Sequence, residues 1–249
     1  MFEYSYKTIQ SLKYAKHRKT HNRYVIEGKR LIKSALEFNV NIGPLFCSNN
    51  FIKENEKWVK ENIGNKNKIK KISEKQILKI SDTRSPSGIL TICEIPKQEP
   101  LNLNANKWIY IDKISDPGNL GTLIRTSAWF GISNIAFSPG CTDPYNPKSV
   151  RAAMGAHFGV VLHTNISLDT FKNSHTIIAA DLNGINVDSY FFPSRSILVL
   201  GSEAHGISSQ SRKYIDEYVS INKLGIGDSL NVSSAGSILI YLSMKNYKQ

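Results

Sequence analysis

Three stretches set glycines beside polar side chains at spacings suited to holding an anion. The first is "DPGNLGTLIRTSAWFGI", residues 116–132. Gly118 and Gly121 let backbone approach a ligand closely, and N–H groups that open a helix attract anions. Arg125 falls about one turn into that helix, where a permanently protonated planar fork can hold a phosphate or simply pair with a local acid. The pattern is not GxGxxG, so a dinucleotide fingerprint is unsupported. The second is "ILVLGSEAHGIS", residues 197–208. Here Glu203 either accepts hydrogen bonds from a ligand, orients Arg125, or is a carboxylate favoured at a helix start. His205 is a candidate base or an exposed loop residue. The third is "LGIGDSLNVSSAGSILIYL", residues 224–242, where Ser229 and Asn231 suit a helix cap. The run Asp228 to Asn231 is more polar than one cap requires. Between the first two, "DPYNPKSVRAAMGAHFG" offers Lys148 and Arg151 three apart on a helix, for a phosphate chain or as a solvated face.

Each of the three loops follows a strand pattern and leads toward a helix. In open α/β sheets ligands bind beyond the carboxyl ends of the strands. "WIYIDKI", "NIAFS", "FGVVLH", "HTIIAAD" and "SILVLGS" are apolar runs that fit a parallel sheet covered on both faces. Helices are predicted over 118–130 and "PKSVRAAMG", with Pro147 in the first turn. A last helix carries Ala235, Ile238, Leu239 and Leu242 at i, i+3, i+4, i+7. The N-terminal part alternates differently. "YKTIQSLKYAK", "KRLIKSALEF" (Leu31, Ile32, Ala35, Leu36 and Phe38 near helical spacing) and "EKQILKI" read as helices. "RYVIEG", "PLFCS", "KIKKIS" and "GILTICEI" read as strands of a small sandwich. The Pro- and Asn-rich "PKQEPLNLNAN" separates the two. The division expected is residues 1–98, a linker 99–106, and residues 107–249.

The 249 residues are 41% hydrophobic and 21% charged, which excludes wholesale disorder. Net charge is +12 and the pI about 9.5. Residues 1–106 hold net +10 and residues 107–249 net +2, so the basic character sits in the N-terminal part and suits a polyanionic partner. Cys47, Cys93 and Cys141 lack paired spacing, so neither a disulfide framework nor a metal site is expected. The N-terminus lacks the apolar core of a signal peptide and no run is long enough for a membrane span. A reduced, cytoplasmic protein is the economical expectation.

In order, "NLGTLIRTSAWFG", "LGSEAHGIS" and "IGDSLNVSSAG", with "NPKSVRAAMGAHFG" between the first two, resemble the motifs of the SpoU/TrmH-type RNA 2′-O-ribose methyltransferases of the SPOUT class. The likeness covers residues from about Lys107 to the end. It implies an α/β fold with a mostly parallel sheet whose C-terminal portion forms a trefoil knot. It also implies S-adenosylmethionine held bent in the knotted loops, and a homodimer whose two subunits complete the active site together. On the matching positions, Asn119, Arg125, Glu203, Ser229 and Asn231 form the catalytic cluster. Backbone around Ala180, Leu200, Gly201, Ile221 and Leu230 cradles the cofactor. "SLKYAKHRKTHNRYVIEGKRLIKSAL" resembles, more loosely, the family's small α/β substrate-binding domain. Lys16, Arg18, Lys19, Arg23, Lys29 and Arg30, with Lys148 and Arg151, are then the expected RNA contacts. No metal is implied. Thr122, Ser127 and "AHG" depart from the usual residues at their positions, without touching the central polar set.

The implied reaction is in-line methyl transfer from a sulfonium to a ribose 2′-hydroxyl. A guanidinium holds its proton too tightly for an arginine at position 125 to be favoured as a free base. The expected roles are Arg125 on the phosphate beside the target ribose, Ser229 and Asn231 shaping its hydrogen bonds, and Glu203 holding the Arg125 rotamer. Competing readings are a non-catalytic RNA-binding protein of the same fold, a Rossmann-type nucleotide enzyme and a base methyltransferase. Ribosomal RNA is favoured over transfer RNA because a separate basic domain suits structured RNA.

Overall fold

A computed structural model describes residues 2–63 and 69–245. The chain folds as two units, residues 1–97 with 145–158, and residues 98–144 with 159–249.

The first unit begins with α1 (Tyr6–Ser11) and α2 (Ala15–His21), where the sequence pattern suggests one helix. The break has a physical cause. The Arg18 guanidinium donates to the carbonyls of Leu12 and Lys13, at 2.9 and 2.8 Å, which are acceptors left open where α1 ends. Next come β1 (Arg23–Glu27), α3 (Lys29–Glu37), β2 (Leu45–Ser48), α4 (Asn49–Glu54) and α5 (Glu56–Asn62). They are followed by β3 (Ile69–Ile72), α6 (Glu74–Ile80) and β4 (Ile89–Glu94). Lys68, at the head of the third predicted strand, lies outside the described residues. The sheet order is β1-β4-β2-β3; β1 and β2 run antiparallel to β4, and β2 is parallel to β3. Leu31, Ile32 and Ala35 turn the inner face of α3 onto a core with Tyr24, Ile26, Leu45 and Cys47. Phe38 follows the helix and is exposed, so it does not extend that face. A capping box, Ser73 with Gln76, starts α6. Burial pushes the thiols of Cys47 and Cys93 up to about 12; all three cysteines are free.

The second unit is wound around β5 (Lys107–Ile111), α7 (Pro117–Trp129) and β6 (Asn134–Phe137). Its α8 neighbour in sequence (Pro147–Ala153) belongs to the first unit, where it packs on β1. The second unit resumes with β7 (Val161–His163), β8 (Thr176–Asn186), β9 (Ser196–Leu200), α9 (Ser209–Arg212), β10 (Glu217–Ser220) and α10 (Val232–Lys245). The sheet order is β10-β8-β9-β5-β6-β7, and every pairing is parallel. β5 and β9 are buried along their whole length, which is why they are apolar at nearly every position rather than at alternate ones. Helices α7 and α10 lie close together: a Cβ on Gly236 would stand 2.5 Å from a Leu123 methyl.

The stretch expected to be a linker, 99–106, is instead docked on the second unit. Leu101, Leu103 and Ala105 pack against its core. Arg195 donates to the Leu103 carbonyl at 2.7 Å, and His175 Nε2 lies 2.6 Å from the Ala105 carbonyl. Three apolar residues at alternate positions outweigh the Pro and Asn content around them. Among the described residues no helix is long and apolar enough to cross a membrane.

Candidate active site

Two helix starts bring the polar residues together. Asp116 caps α7, its Oδ1 accepting the Asn119 N–H at 2.8 Å, with Pro117 in the first turn. Asn231 caps α10: its Oδ1 accepts the N–H groups of Ser233 and Ser234 at 2.9 and 3.3 Å. Since α7 and α10 pack side by side, both caps face the same place. Asn119 Nδ2 donates to the Glu203 carboxylate. Asn231 Nδ2 donates to Asn119 Oδ1 at 3.1 Å. The Asn119 amide is thereby fixed in one orientation, with its nitrogen toward the acid and its oxygen toward α10.

Ser233, which the sequence reading passed over, completes the network. Its hydroxyl lies 2.6 Å from Asn231 Oδ1 and 3.2 Å from Asn119 Oδ1. The available signal was a hydroxyl two residues after a capping asparagine, which returns to the cap within one turn. Ser233→Ala is expected to lower kcat about fivefold, the loss of one hydrogen bond to acceptors that keep their other donors. Cofactor affinity should stay unchanged. Single-turnover methyl transfer and calorimetry read the two quantities separately, and a wild-type kcat would remove Ser233 from the network.

Asp112 was missed as well. It is fully buried at the end of β5. Its carboxylate accepts from Ser208 N at 2.7 Å and Ser208 Oγ at 3.2 Å, and its own N–H donates to the Leu200 carbonyl at 2.8 Å. These bonds tie both ends of the loop that carries Glu203. Within that loop Ser202 and Gly206 exchange backbone hydrogen bonds of 3.1 and 2.9 Å.

Arg125 is exposed on α7 and makes no hydrogen bond or ion pair among the described residues. It stands six residues, about 9 Å of helix rise, beyond Asn119 and on a different face. The expectation that Glu203 holds the Arg125 rotamer is therefore corrected within one chain: Asn119, at the helix start, takes that carboxylate. Ser229 is exposed, precedes the α10 cap, and makes no hydrogen bond among the described residues. His205 is also exposed; its backbone N–H donates to Ser202 Oγ at 3.2 Å.

Next to the cluster lies a cavity of about 480 Å³, at the carboxyl ends of β9 and β10 and against the middle of β8. Ala180, Leu200, Gly201, Ile221 and Leu230 all line it, and so do Glu203 and Ser229. Its size suits a small organic cofactor, and its walls are mainly apolar with a few convergent polar groups. Gly201 permits the closest approach. A Cβ there would lie within 2.6 Å of backbone atoms of Gly206 and Ile207.

The basic residues of the first unit divide sharply. Lys16, Lys19 and Arg30 are exposed and unpaired among the described residues. Lys148 is exposed. Lys29 donates to Asn55 Oδ1 at 3.0 Å, Arg23 pairs with Glu94, and Arg151 lies 3.1 Å from Asp82. Arg18 is 1% exposed, so its place among the RNA contacts is corrected. Its guanidinium is held by two backbone carbonyls, and its work is to shape the turn between α1 and α2.

An all-parallel sheet with an apolar cavity at its carboxyl edge, opening on a carboxylate–amide–hydroxyl cluster built from two helix caps, defines a SPOUT-type methyltransferase domain. The SpoU rRNA Methylase family model matches residues 106–241 and the MRM3-like substrate binding domain model residues 5–91. The chain belongs to the SpoU rRNA methylase family. It is 28% identical to the 23S rRNA (guanosine(2553)-2′-O)-methyltransferase RlmP of Bacillus subtilis, covering 91% of this chain and 90% of that protein. It is 31% identical to the mitochondrial rRNA methyltransferase 3 of Xenopus laevis over 67% of this chain, which spans 41% of that longer relative. A solved rRNA methyltransferase from Sinorhizobium meliloti with AdoMet bound superposes with a TM-score of 0.82 at 25% identity, over 98% of this chain and 95% of that one.

Proposed function

We propose that this protein methylates a ribose 2′-hydroxyl in structured RNA, with ribosomal RNA as the substrate class and S-adenosylmethionine as methyl donor. The observation that carries the reading is the junction of two features. The cavity lined by Ala180, Leu200, Gly201, Ile221 and Leu230 shares Glu203 with the polar cluster, so a cofactor held in the one would adjoin the other. The residues fit that cofactor: the absence of a Cβ at Gly201 lets the 202–206 loop close tightly and wall the cavity, whose apolar sides would take rings and whose few polar groups would take polar ends. When bound, S-adenosylmethionine supplies an electrophilic methyl group on a sulfonium.

The chain's own residues then align the acceptor. Holding two reactants in attack geometry can supply on the order of 7–11 kcal/mol. Asn119, fixed by Glu203, Asn231 and Ser233, presents a polar edge that does not reorganise during the reaction. Arg125 holds the phosphate beside the target ribose and stabilises the negative charge that develops on the 2′-oxygen as its proton passes to solvent. Because Arg125 points away from its own chain's cluster, it serves the cluster of a second subunit. The exposed Trp129, Ile238 and Tyr241 of α7 and α10 support a homodimer through that face. The C-terminal portion is read as a trefoil knot on the strength of the family likeness. Buried thiols at Cys47 and Cys93 suit a reducing cytoplasm.

The test is to map 2′-O-methylation in ribosomal and transfer RNA from cells with and without the gene, and after incubation of unmodified RNA with the protein and cofactor. One ribosomal site lost in the deletion and regained in vitro is the expected result. A site regained only in transfer RNA would replace the substrate class, and no methylation anywhere would leave a binding protein.

A further inference from the structure

The N-terminal unit carries a row of rings, open at Tyr14 and half-buried at His17 and His21. Residues 4–26 hold six Lys and Arg and no Asp or Glu. By gripping the Leu12 and Lys13 carbonyls, Arg18 sets the turn at whose end Tyr14 stands. Tyr14 is the N-cap residue of α2, yet its side chain makes no capping bond and is 58% exposed. The Lys13 ammonium lies 5.1 Å from the centre of its ring. Along α2 the His17 ring follows at 6.4 Å and the His21 ring at a further 6.2 Å, the two imidazoles within 15° of parallel. Positions 14, 17 and 21 share one face of the helix. Phe2 meets His21 edge-on at 5.5 Å and closes the far end of the row. Lys16 and Lys19 are exposed on the same short helix.

One exposed tyrosine is ordinary on a protein surface. A ring row that begins beside Lys13, along a helix and turn with no carboxylate between residues 4 and 26, is a different object. A duplex offers phosphates but hides the faces of its bases, whereas an unpaired nucleotide offers both. The geometry points to α2 as a stacking platform for unpaired nucleotides of the RNA. Tyr14 takes one base face, His17 and His21 continue the stack, and Lys13 holds the adjoining phosphate, while Lys16 and Lys19 on the opposite face of the helix add positive charge around it. This rests on the reading of the protein as acting on RNA; it adds the conformational class of the recognised RNA and the residues that recognise it.

The experiment compares full-length wild type, Tyr14→Ala and Tyr14→Phe. Binding is measured by fluorescence anisotropy to a short unstructured oligoribonucleotide and to a blunt RNA duplex of the same length, at fixed salt. Tyr14→Ala should weaken the unstructured RNA about tenfold, the effect of one lost base–ring stack, while duplex affinity stays as in wild type. Tyr14→Phe, which keeps the ring face, should restore the tight binding, and circular dichroism checks that each variant is folded. Equal binding of the unstructured RNA by Tyr14→Ala and wild type would overturn the platform. So would an equal loss on both RNAs. Methyl transfer is assayed in the same samples. A Tyr14-dependent preference without transfer sinks the enzymatic reading and leaves the platform, and transfer without that preference does the reverse.

Discussion

Co-expressing two inactive variants, Arg125→Ala and Asn119→Ala, should restore about a quarter of wild-type methyl transfer. Each variant alone is expected to lose roughly 10²–10³ in kcat, as when a preorganised donor at a developing negative charge is removed. In a mixed dimer one site collects both defects and the other none. Half of the dimers formed at random are mixed, and half of their sites are intact. The structural basis is the separation of the two residues within one chain. Asn119 is bound to Glu203 and Asn231, while Arg125 sits exposed farther along α7 beside the uncovered Trp129, which is 82% exposed. Arg125→Lys should fail nearly as badly, because an ammonium lacks the planar fork that grips a phosphate. Absence of restored activity in a verified mixed dimer would place Arg125 in its own chain's site, and near-normal turnover of Arg125→Lys would remove the bidentate role.

The second large effect concerns Gly201. Gly201→Ala should abolish S-adenosylmethionine binding, with affinity reduced at least about 100-fold by calorimetry. The added methyl would stand 2.5 Å from the Gly206 carbonyl oxygen and 2.6 Å from Ile207 N. These are backbone atoms held by the Ser202–Gly206 bonds and by Asp112 on Ser208, so no side-chain rotation relieves the contact, and the loop that walls the cavity must open. Gly225→Ala is the control, since a Cβ there meets nothing within 4 Å. Retained RNA binding shows that the first unit is folded in both variants. Wild-type cofactor affinity in Gly201→Ala would refute the cradle.

Much of this was legible in the chain. Continuous apolar runs such as "WIYIDKI" and "SILVLGS" announced strands buried on both faces, and they became the fully buried β5 and β9. Asn231 was marked as a helix cap by residue type, whereas Gly201 was marked through the family resemblance. The errors share one origin. Arg18 and Arg125 look alike in sequence, two arginines in basic or polar helices, yet one is 1% exposed and the other points outward. Residues 99–106 carry the composition of a linker, yet Leu101 and Leu103 lie on a core built from distant strands. Short segments also escaped: α4, α5, α9 and β10 are too brief for periodicity to separate them from turns.

By itself the sequence determined the alternating elements, the basic bias of the first 106 residues, and the polar loops that follow strands, because local spacing and residue type suffice for each. Only the tertiary structure decided which of those polar groups meet. Asn119 joins Glu203 across 84 positions and Asn231 across 112, and Ser233 and Asp112 gain their roles only when α7, α10 and the loop after β9 converge. A hydrogen-bond partner so remote in the chain leaves no local trace, since the directionality that selects it exists only after the backbone has closed.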